Sequence, residues 1–292
     1  MNFKTPIFFI VCLMSQAAMG QQLNVFASNP LPPKSIAGYD LVWNDEFNKE
    51  GKPDTTNWIY ENGFERNEEL QWYGTGNANC MNGTLVIEGR KERVKNVNYQ
   101  PGSDSWRLNR EYAEYTSSSI QTKGHHQWTF GRFEIRARID TNKGSWPAIW
   151  TLGVNKEWPS NGEIDIMEFY RVDDVPNLLS NVAWGTGKPY IAKWHTEKRP
   201  FAGFTKNDPD WVKKFHIWRM DWDENSINLY LDDKLLNTTL LSQTLNADGS
   251  NPFLQPHFLL LNLALGGNGG EPSKANFKYE VDYVRVYQKV GK

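Results

Sequence analysis

The chain is short of cysteine, of long apolar runs and of excess charge of either sign, and each shortage removes a class of protein. Two cysteines occur among 292 residues. Cys12 falls in an N-terminal segment that reads as a leader, so Cys80 is left alone and no intrachain disulfide can hold the fold. Disulfide-stapled secreted scaffolds are thereby excluded. Cys80 stands between Asn79 and Met81 and is read as a small apolar core residue, as free cysteines usually are, not as a nucleophile. The apolar run Pro6 to Met14 falls well short of the ~20 residues a membrane-spanning helix needs. Lys4 before it and Ala18-Met19-Gly20 after it make residues 1–20 a signal peptide cleaved after Gly20. A lipoprotein anchor fits poorly, because Val11 precedes Cys12 where a small residue is expected. The expectation is an exported or periplasmic protein with no membrane-spanning segment. With 32 basic against 34 acidic residues, nothing points to nucleic acid or an anionic membrane as partner. No Pro/Gly/Ser linker, low-complexity stretch or internal repeat interrupts residues 21–292, which are read as one domain acting as a monomer.

Helix signals are also scarce; period-2 alternation is what the chain has instead. In Thr129–Ile139, Phe133, Ile135, Ala137 and Ile139 alternate with Arg132, Glu134, Arg136 and Arg138, the pattern of a strand with one buried face. Thr84–Arg90, Phe215–Trp222, Ile227–Leu231, His257–Leu265 and Tyr279–Tyr287 read the same way. Turn residues such as Asn82-Gly83 and Asp232-Asp233 separate them. Many strands without intervening helices imply an all-β sandwich or barrel, and a two-sheet jelly roll suits the length. Residues 185–211 read as one long connection.

Aromatic residues make up 14% of the chain and include 13 Trp. Such a load implies either a large aromatic core or rings offered to a flat ligand. Sugar rings are such ligands, since their C–H faces stack on aromatic faces while their hydroxyls reach polar neighbours.

The chemistry concentrates in Gly162–Tyr170. In a regular strand Glu163 and Asp165 share a face and Glu168 points the other way. A β-bulge after Asp165 adds one residue and returns Glu168 to the face of the other two. Three neighbouring carboxyls resist joint ionisation, so one keeps its proton near neutral pH. A retaining glycosidase needs one ionised and one protonated carboxyl: one attacks the anomeric carbon, the other protonates the leaving oxygen and then activates water. The alternatives are a solvated acidic edge or a calcium loop. A solvated edge does not account for Ile164, Ile166, Met167 and Phe169 between the acids, and a calcium loop would be less strand-like. Trp146 and Trp150, in Gly144–Trp150, precede the acids by one strand length.

Taken together these segments resemble glycoside hydrolase family 16, in its laminarinase-like branch of endo-β-1,3(4)-glucanases and endo-β-galactosidases. The resemblance rests on Trp43–Phe47, Asn67–Tyr73, Phe130–Glu134, Gly144–Trp150, Glu163–Glu168 and Val281–Tyr287. It implies a concanavalin-A-like jelly-roll sandwich with an open substrate cleft, Glu163 as nucleophile, Glu168 as acid/base and Asp165 as the group that tunes the nucleophile's proton. It implies hydrolysis of O-glycosyl bonds by double displacement in a β-linked glycan, with no catalytic cofactor. Trp146, Trp150, Asn67, Glu69 and Trp72 match cleft positions, with Trp146 and Trp72 as the preferred stacking platforms. A structural Ca²⁺ in relatives would match Glu46, the Gly89 carbonyl and Asp282.

One departure concerns the substrate. Glucan-cutting relatives carry a His followed by an aromatic on the strand after the catalytic one. Here Ser180-Asn181-Val182-Ala183-Trp184 has no His, and the following aromatic segment holds Trp194. Trp184 and Trp194 join the candidate sugar-binding residues. β-1,3- or mixed-linked glucan is the first expectation, and a galactose-containing glycan of red-algal or mucin type is the second. A lectin-like binding module on the same fold is the non-enzymatic rival; it would keep the aromatics but not need three clustered acids.

Overall fold

The computed structural model describes residues 24–28 and 31–291; the signal-peptide expectation for residues 1–20 lies outside them. Two largely antiparallel sheets are stacked, and the expected all-β jelly-roll sandwich is what the chain forms. One sheet, here the cleft sheet, runs in the order Ala192–Pro200, Val175–Gly185, Glu163–Val172, Ser145–Gly153, His257–Leu265, Ser119–Gln121, Ile59–Tyr60. The other, the back sheet, is centred on Gly131–Arg138 and Asn276–Lys289, flanked by His216–Trp222 on one side and Thr84–Arg90 on the other. The expected strands are present with ends shifted by up to three residues. Tyr279–Tyr287, for instance, extends to Asn276–Lys289.

Alternation explains the core. Phe133, Ile135 and Ala137 of the back sheet are fully buried against Ile164, Ile166, Leu259, Leu261 and Leu263 of the cleft sheet. Each large aliphatic side chain buried in this layer contributes roughly 1.5–3 kcal/mol by leaving water. His257–Leu265 is buried along its whole length, because it lies inside its sheet with loops over its other face. Arg136 departs from the alternation: it falls on the outward face yet is only 1% exposed. Its guanidinium donates to Asp282 and to the carbonyls of Asn24 and Ala27, so the N-terminal segment covers it.

The long connection expected over residues 185–211 is corrected. Ala192–Pro200 is a strand that pairs with Val175–Gly185 in unbroken register from Asn177↔Pro200 to Gly185↔Ala192. Its exposure and mixed charge hid it, since an edge strand has no strand beyond it and need not read as apolar. After it, a short helix at Ala202–Asn207 and a turn around Trp211 tuck Phe201, Phe204 and Trp211 against Phe169 and Trp218. Most of the aromatic segment is therefore core. Tyr190 and Trp194 are its exposed rings. Among the described residues, no helix is long and apolar enough to cross a membrane.

Candidate active site

The bulge falls where the sequence asks for it. Against Ser145–Gly153 the register runs Ile149↔Met167 then Trp150↔Asp165, leaving Ile166 unpaired. Against the strand on the other side it runs Asp165↔Asn181 then Glu168↔Leu179. Ile166 and Met167 are both fully buried in the inter-sheet core. Burying two consecutive residues restores the phase, and Glu163, Asp165 and Glu168 all line one groove of about 780 Å³.

Each acid has its own partners. Trp158 donates its indole N–H to Glu163 Oε2 at 2.6 Å, and Trp146 donates to Glu168 Oε1 at 2.9 Å. Asn181 Nδ2 donates to Glu168 Oε2 at 2.7 Å and to Asp165 Oδ2 at 3.0 Å. Asp165 also hydrogen-bonds Glu163, in the sense that holds a proton on Asp165 and favours the anion of Glu163. Burial pushes all three carboxyls up. Asp165 rises well above the usual carboxylate range, first by burial and then by the charges of Glu168 and Glu163 on either side. Burial, with the Glu163 charge behind it, takes Glu168 to about 7 against the opposing hydrogen bonds of Trp146, Asp165 and Asn181. Glu163 is raised by burial but pulled back by Trp158 and Asp165. The strand therefore presents an acid with a value near 7 beside a carboxyl whose anion Trp158 and Asp165 favour, and the hydrogen bond between Asp165 and Glu163 keeps a proton on Asp165. That is the division of labour double displacement requires.

The groove floor is Trp150, whose indole donates to Asn262 Oδ1 at 2.7 Å and carries the Arg66 guanidinium 5.0 Å from its ring. Trp146 stands beside Tyr170, ring centroids 5.3 Å apart. Asn67 lines the groove from a left-handed turn at Asn67-Glu68. Trp194, 48% exposed, forms the far wall. Trp146, Trp150, Asn67 and Trp194 are thus brought to one groove.

Two expected sugar contacts, Trp72 and Trp184, are corrected, and a third, Glu69, lines the groove with its carboxylate engaged. Trp72 is no platform. Gln71 and Tyr73 on either side of it turn inward, so Trp72 turns the other way and packs edge-on against Phe64, beside Gly63. Trp184 follows Ala183 and so takes the opposite face; it lies in the inter-sheet core. Glu69 borders the groove, but Gln71 and Tyr73 hydrogen-bond its Oε2 and Asn67 its Oε1. It supports the groove wall more than it offers a free carboxylate. The groove residues that sequence reasoning passed over are Trp158, Asn181, Trp106, Tyr170, Asn262 and Arg66. A signal existed for Asn181, which sits two residues before Ala183 on the strand whose missing His had already marked it.

The residues matched to calcium do not fit one ion. Asp282 Oδ2 accepts from Arg136 Nη1 at 2.6 Å, and Arg285 grips both oxygens of Glu46 at 2.8 and 2.9 Å. Gly89 pairs with Phe277, five residues from Asp282 on the same strand, on the order of 17 Å at ~3.4 Å per residue. Guanidinium groups, not a metal ion, meet these two carboxylates.

Comparison with known proteins agrees with this geometry. The family model for glycosyl hydrolases family 16 matches residues 72–285. A beta-glucanase of Rhodothermus marinus is 35% identical over 270 residues, covering 86% of this chain and 85% of the relative. Two solved structures are similar. One comes from work on endo-acting O-glycanases that prominent members of the human gut microbiota express to initiate mucin breakdown. It shares 35% identity at a TM-score of 0.79, covering 89% of this chain and 94% of that one. The other is the catalytic domain of an endo-1,3-beta-glucanase (laminarinase) from Thermotoga petrophila, at 32% identity and a TM-score of 0.71, covering 87% of this chain and 99% of that one.

Proposed function

The chain belongs to glycosyl hydrolase family 16 and hydrolyses glycosidic bonds within a glycan, and from that premise we propose that it is an exported, single-domain, retaining endo-β-glycanase whose substrate is β-1,3- or mixed-linked glucan. The observation that carries the mechanism is the bulge that sets Glu163, Asp165 and Glu168 on one groove wall, each end of the trio held by an indole N–H.

Glu163 attacks the anomeric carbon as Glu168 gives its proton to the glycosidic oxygen; the C–O bond breaks and a glycosyl ester on Glu163 forms. Glu168, now ionised, takes a proton from water, whose oxygen attacks the same carbon and releases Glu163. Two inversions give net retention. Asp165 keeps its proton on the Glu163 side and withdraws that support as the ester forms. Glu163, Asp165 and Glu168 supply each proton movement, and glycosidases of this family need no catalytic cofactor.

Similarity to the named glucanases supports the glucan. A second reading, a galactose-containing glycan, is favoured by a specific row of residues. Glu163 pairs with Ala183, and Ala183 with Trp194. Where a His would stand, the row carries only a methyl group between Glu163 and Trp194, which line the same groove. The axial 4-hydroxyl of galactose clears one broad C–H face for such an indole. The similarity to the O-glycanase structure points the same way. The test is a product profile on laminarin, barley mixed-linkage glucan, a neutral β-galactan and mucin O-glycans, with the anomer read by NMR of fresh product. Shortened β-anomeric oligosaccharides from laminarin are the expected result. Cleavage of galactans or O-glycans alone would replace the glucan with the second reading, and an α-anomer released first would overturn retention.

A further inference from the structure

One wall of the groove sets a tryptophan next to a cation that, among the described residues, no carboxylate neutralises. On that wall, Trp194, Thr196 and Lys198 line the groove. The residues between and beside them face elsewhere: His195 meets Thr239, Glu197 pairs with Arg199 at 3.5 Å, and Arg199 donates to the Leu236 carbonyl. Lys198 is exposed, and among the described residues no carboxylate pairs with it. On the opposite side of the catalytic strand, Arg107 lies 4.6 Å from the Trp106 ring and donates to the Glu65 carbonyl. It is exposed, and its charge acts on the Glu65 carboxyl. The third cation of the groove, Arg66, is bound to Glu61.

Register fixes where Lys198 acts. Glu168 pairs with Leu179, and Leu179 with Lys198, so the three form one row across the sheet. Two strand spacings of about 4.8 Å separate the Glu168 and Lys198 backbones, on the order of 10 Å. A lysine side chain spans about half of that, which brings its ammonium within one or two sugar residues of the scissile bond. The groove otherwise carries Glu69, Glu163, Asp165 and Glu168, and the chain as a whole is net acidic. A neutral glycan needs no cation here. An acidic one would be repelled by the carboxyls unless cations met its substituents.

We propose that the groove accepts glycans bearing acidic substituents, sulfate ester or carboxylate, and that Lys198 is the specificity-determining residue that binds such a group on a sugar stacked by Trp194. The inference rests on the reading of this groove as a glycan-cleaving site, and it adds the charge of the substrate.

The test measures affinity in the Glu163→Gln background, so that binding is read without turnover. Laminarin and a neutral β-galactan are each compared with a partially sulfated and a partially carboxymethylated derivative, with and without Lys198→Gln. A rim charge worth ~1 kcal/mol corresponds to about fivefold in affinity. The expected result is that Lys198→Gln lowers the derivative-to-neutral affinity ratio about fivefold, and that ~0.5 M salt removes the difference by screening. Loss confined to the sulfated or to the carboxymethylated polymer tells which anion the site takes. A ratio unchanged by Lys198→Gln on both derivatives, or no binding of either derivative, overturns the proposal. Turnover of the neutral polymers by the unmodified enzyme is measured separately. Its absence counts against the glucan or galactan reading, not against the charge preference.

Discussion

The cleft sheet and the back sheet both bury charge, and they do it in opposite ways. On the back sheet charges meet opposite neighbours: Arg136 pairs with Asp282 at 1% and 2% exposure, Arg285 with Glu46, and the half-buried Arg132 with Asp221. On the cleft sheet three carboxyls are stacked against one another, and their partners are neutral donors, two indoles and an amide. Pairing fixes protonation and adds rigidity. Stacking like charges with only neutral hydrogen-bond donors leaves protonation undecided near neutral pH, which costs stability and makes acid/base chemistry available. The same fold thus carries a scaffold side and a reactive side, distinguished by what each acid faces.

The sharpest way to break the contrast is to remove the reactive acids. Glu163→Gln and Glu168→Gln each lower kcat on polymer by roughly 10³-fold or more, since nucleophile and proton donor are not replaced. The stability effect runs the other way. Glu168 has a folded value, about 7, raised above that of the unfolded chain. Its contribution is intact below the unfolded value and is lost as pH rises through 7, because the native state then holds a buried anion. Thermal unfolding of Glu168→Gln against the parent should show the variant gaining relative Tm between pH 5 and pH 8. A constant gap would mean that the site does not store this cost.

The matching change on the back sheet, Asp282→Ala, has the reverse signature. It leaves the Arg136 guanidinium buried without its anion, and breaking such a pair costs about 3–5 kcal/mol. Urea unfolding should report that loss, while kcat of the folded fraction stays near the parent value because Asp282 lies outside the groove. A variant of parental stability would show that the carbonyls of Asn24 and Ala27 suffice to hold Arg136.

Trp158→Phe is a smaller perturbation and tests the donors themselves. The indole N–H favours the anion of Glu163, so its loss raises the pKa of the nucleophile. The acidic limb of the bell-shaped kcat profile moves to higher pH, while the basic limb set by Glu168 near 7 stays. A hydrogen bond to a charged group is worth about 1.5–3 kcal/mol, so kcat at pH 5 falls by about tenfold or more. An acidic limb that does not move would remove Trp158 from the tuning of Glu163.

How much of this was legible beforehand follows from what each feature depends on. The bulge could be read because the acids and their apolar spacers leave one consistent phase: Ile164, Ile166, Met167 and Phe169 all have to be buried. The calcium set failed because it matched residue types without asking what else sits nearby: Arg136 is remote in sequence from Asp282, and Arg285 from Glu46. Trp72 and Trp184 failed by parity. Whether a strand residue faces groove or core depends on its register against neighbours, and a short stretch does not reveal where the alternation starts. Trp158 was unreadable because it lies in a turn, where no periodicity fixes direction.

Trp194 lies on the border between the two regimes: an exposed ring on an edge strand, attached to the reactive sheet but outside its hydrogen-bonded trio. Its partner across the strand is Ala183, whose own partner is Glu163, so the indole can bear on a sugar near the nucleophile without touching the acid. Truncation to Ala removes stacking worth about 0.5–1.5 kcal/mol and leaves a residue that an exposed edge tolerates. The expected outcome is a several-fold rise in KM on polymer, with kcat, the pH profile and Tm near parental values. Short chromogenic substrates that do not reach the wall should lose less. If kcat and Tm fell together instead, Trp194 would be a packing residue of the edge strand, and the wall of the groove would have to be sought in Thr196 and Lys198 alone.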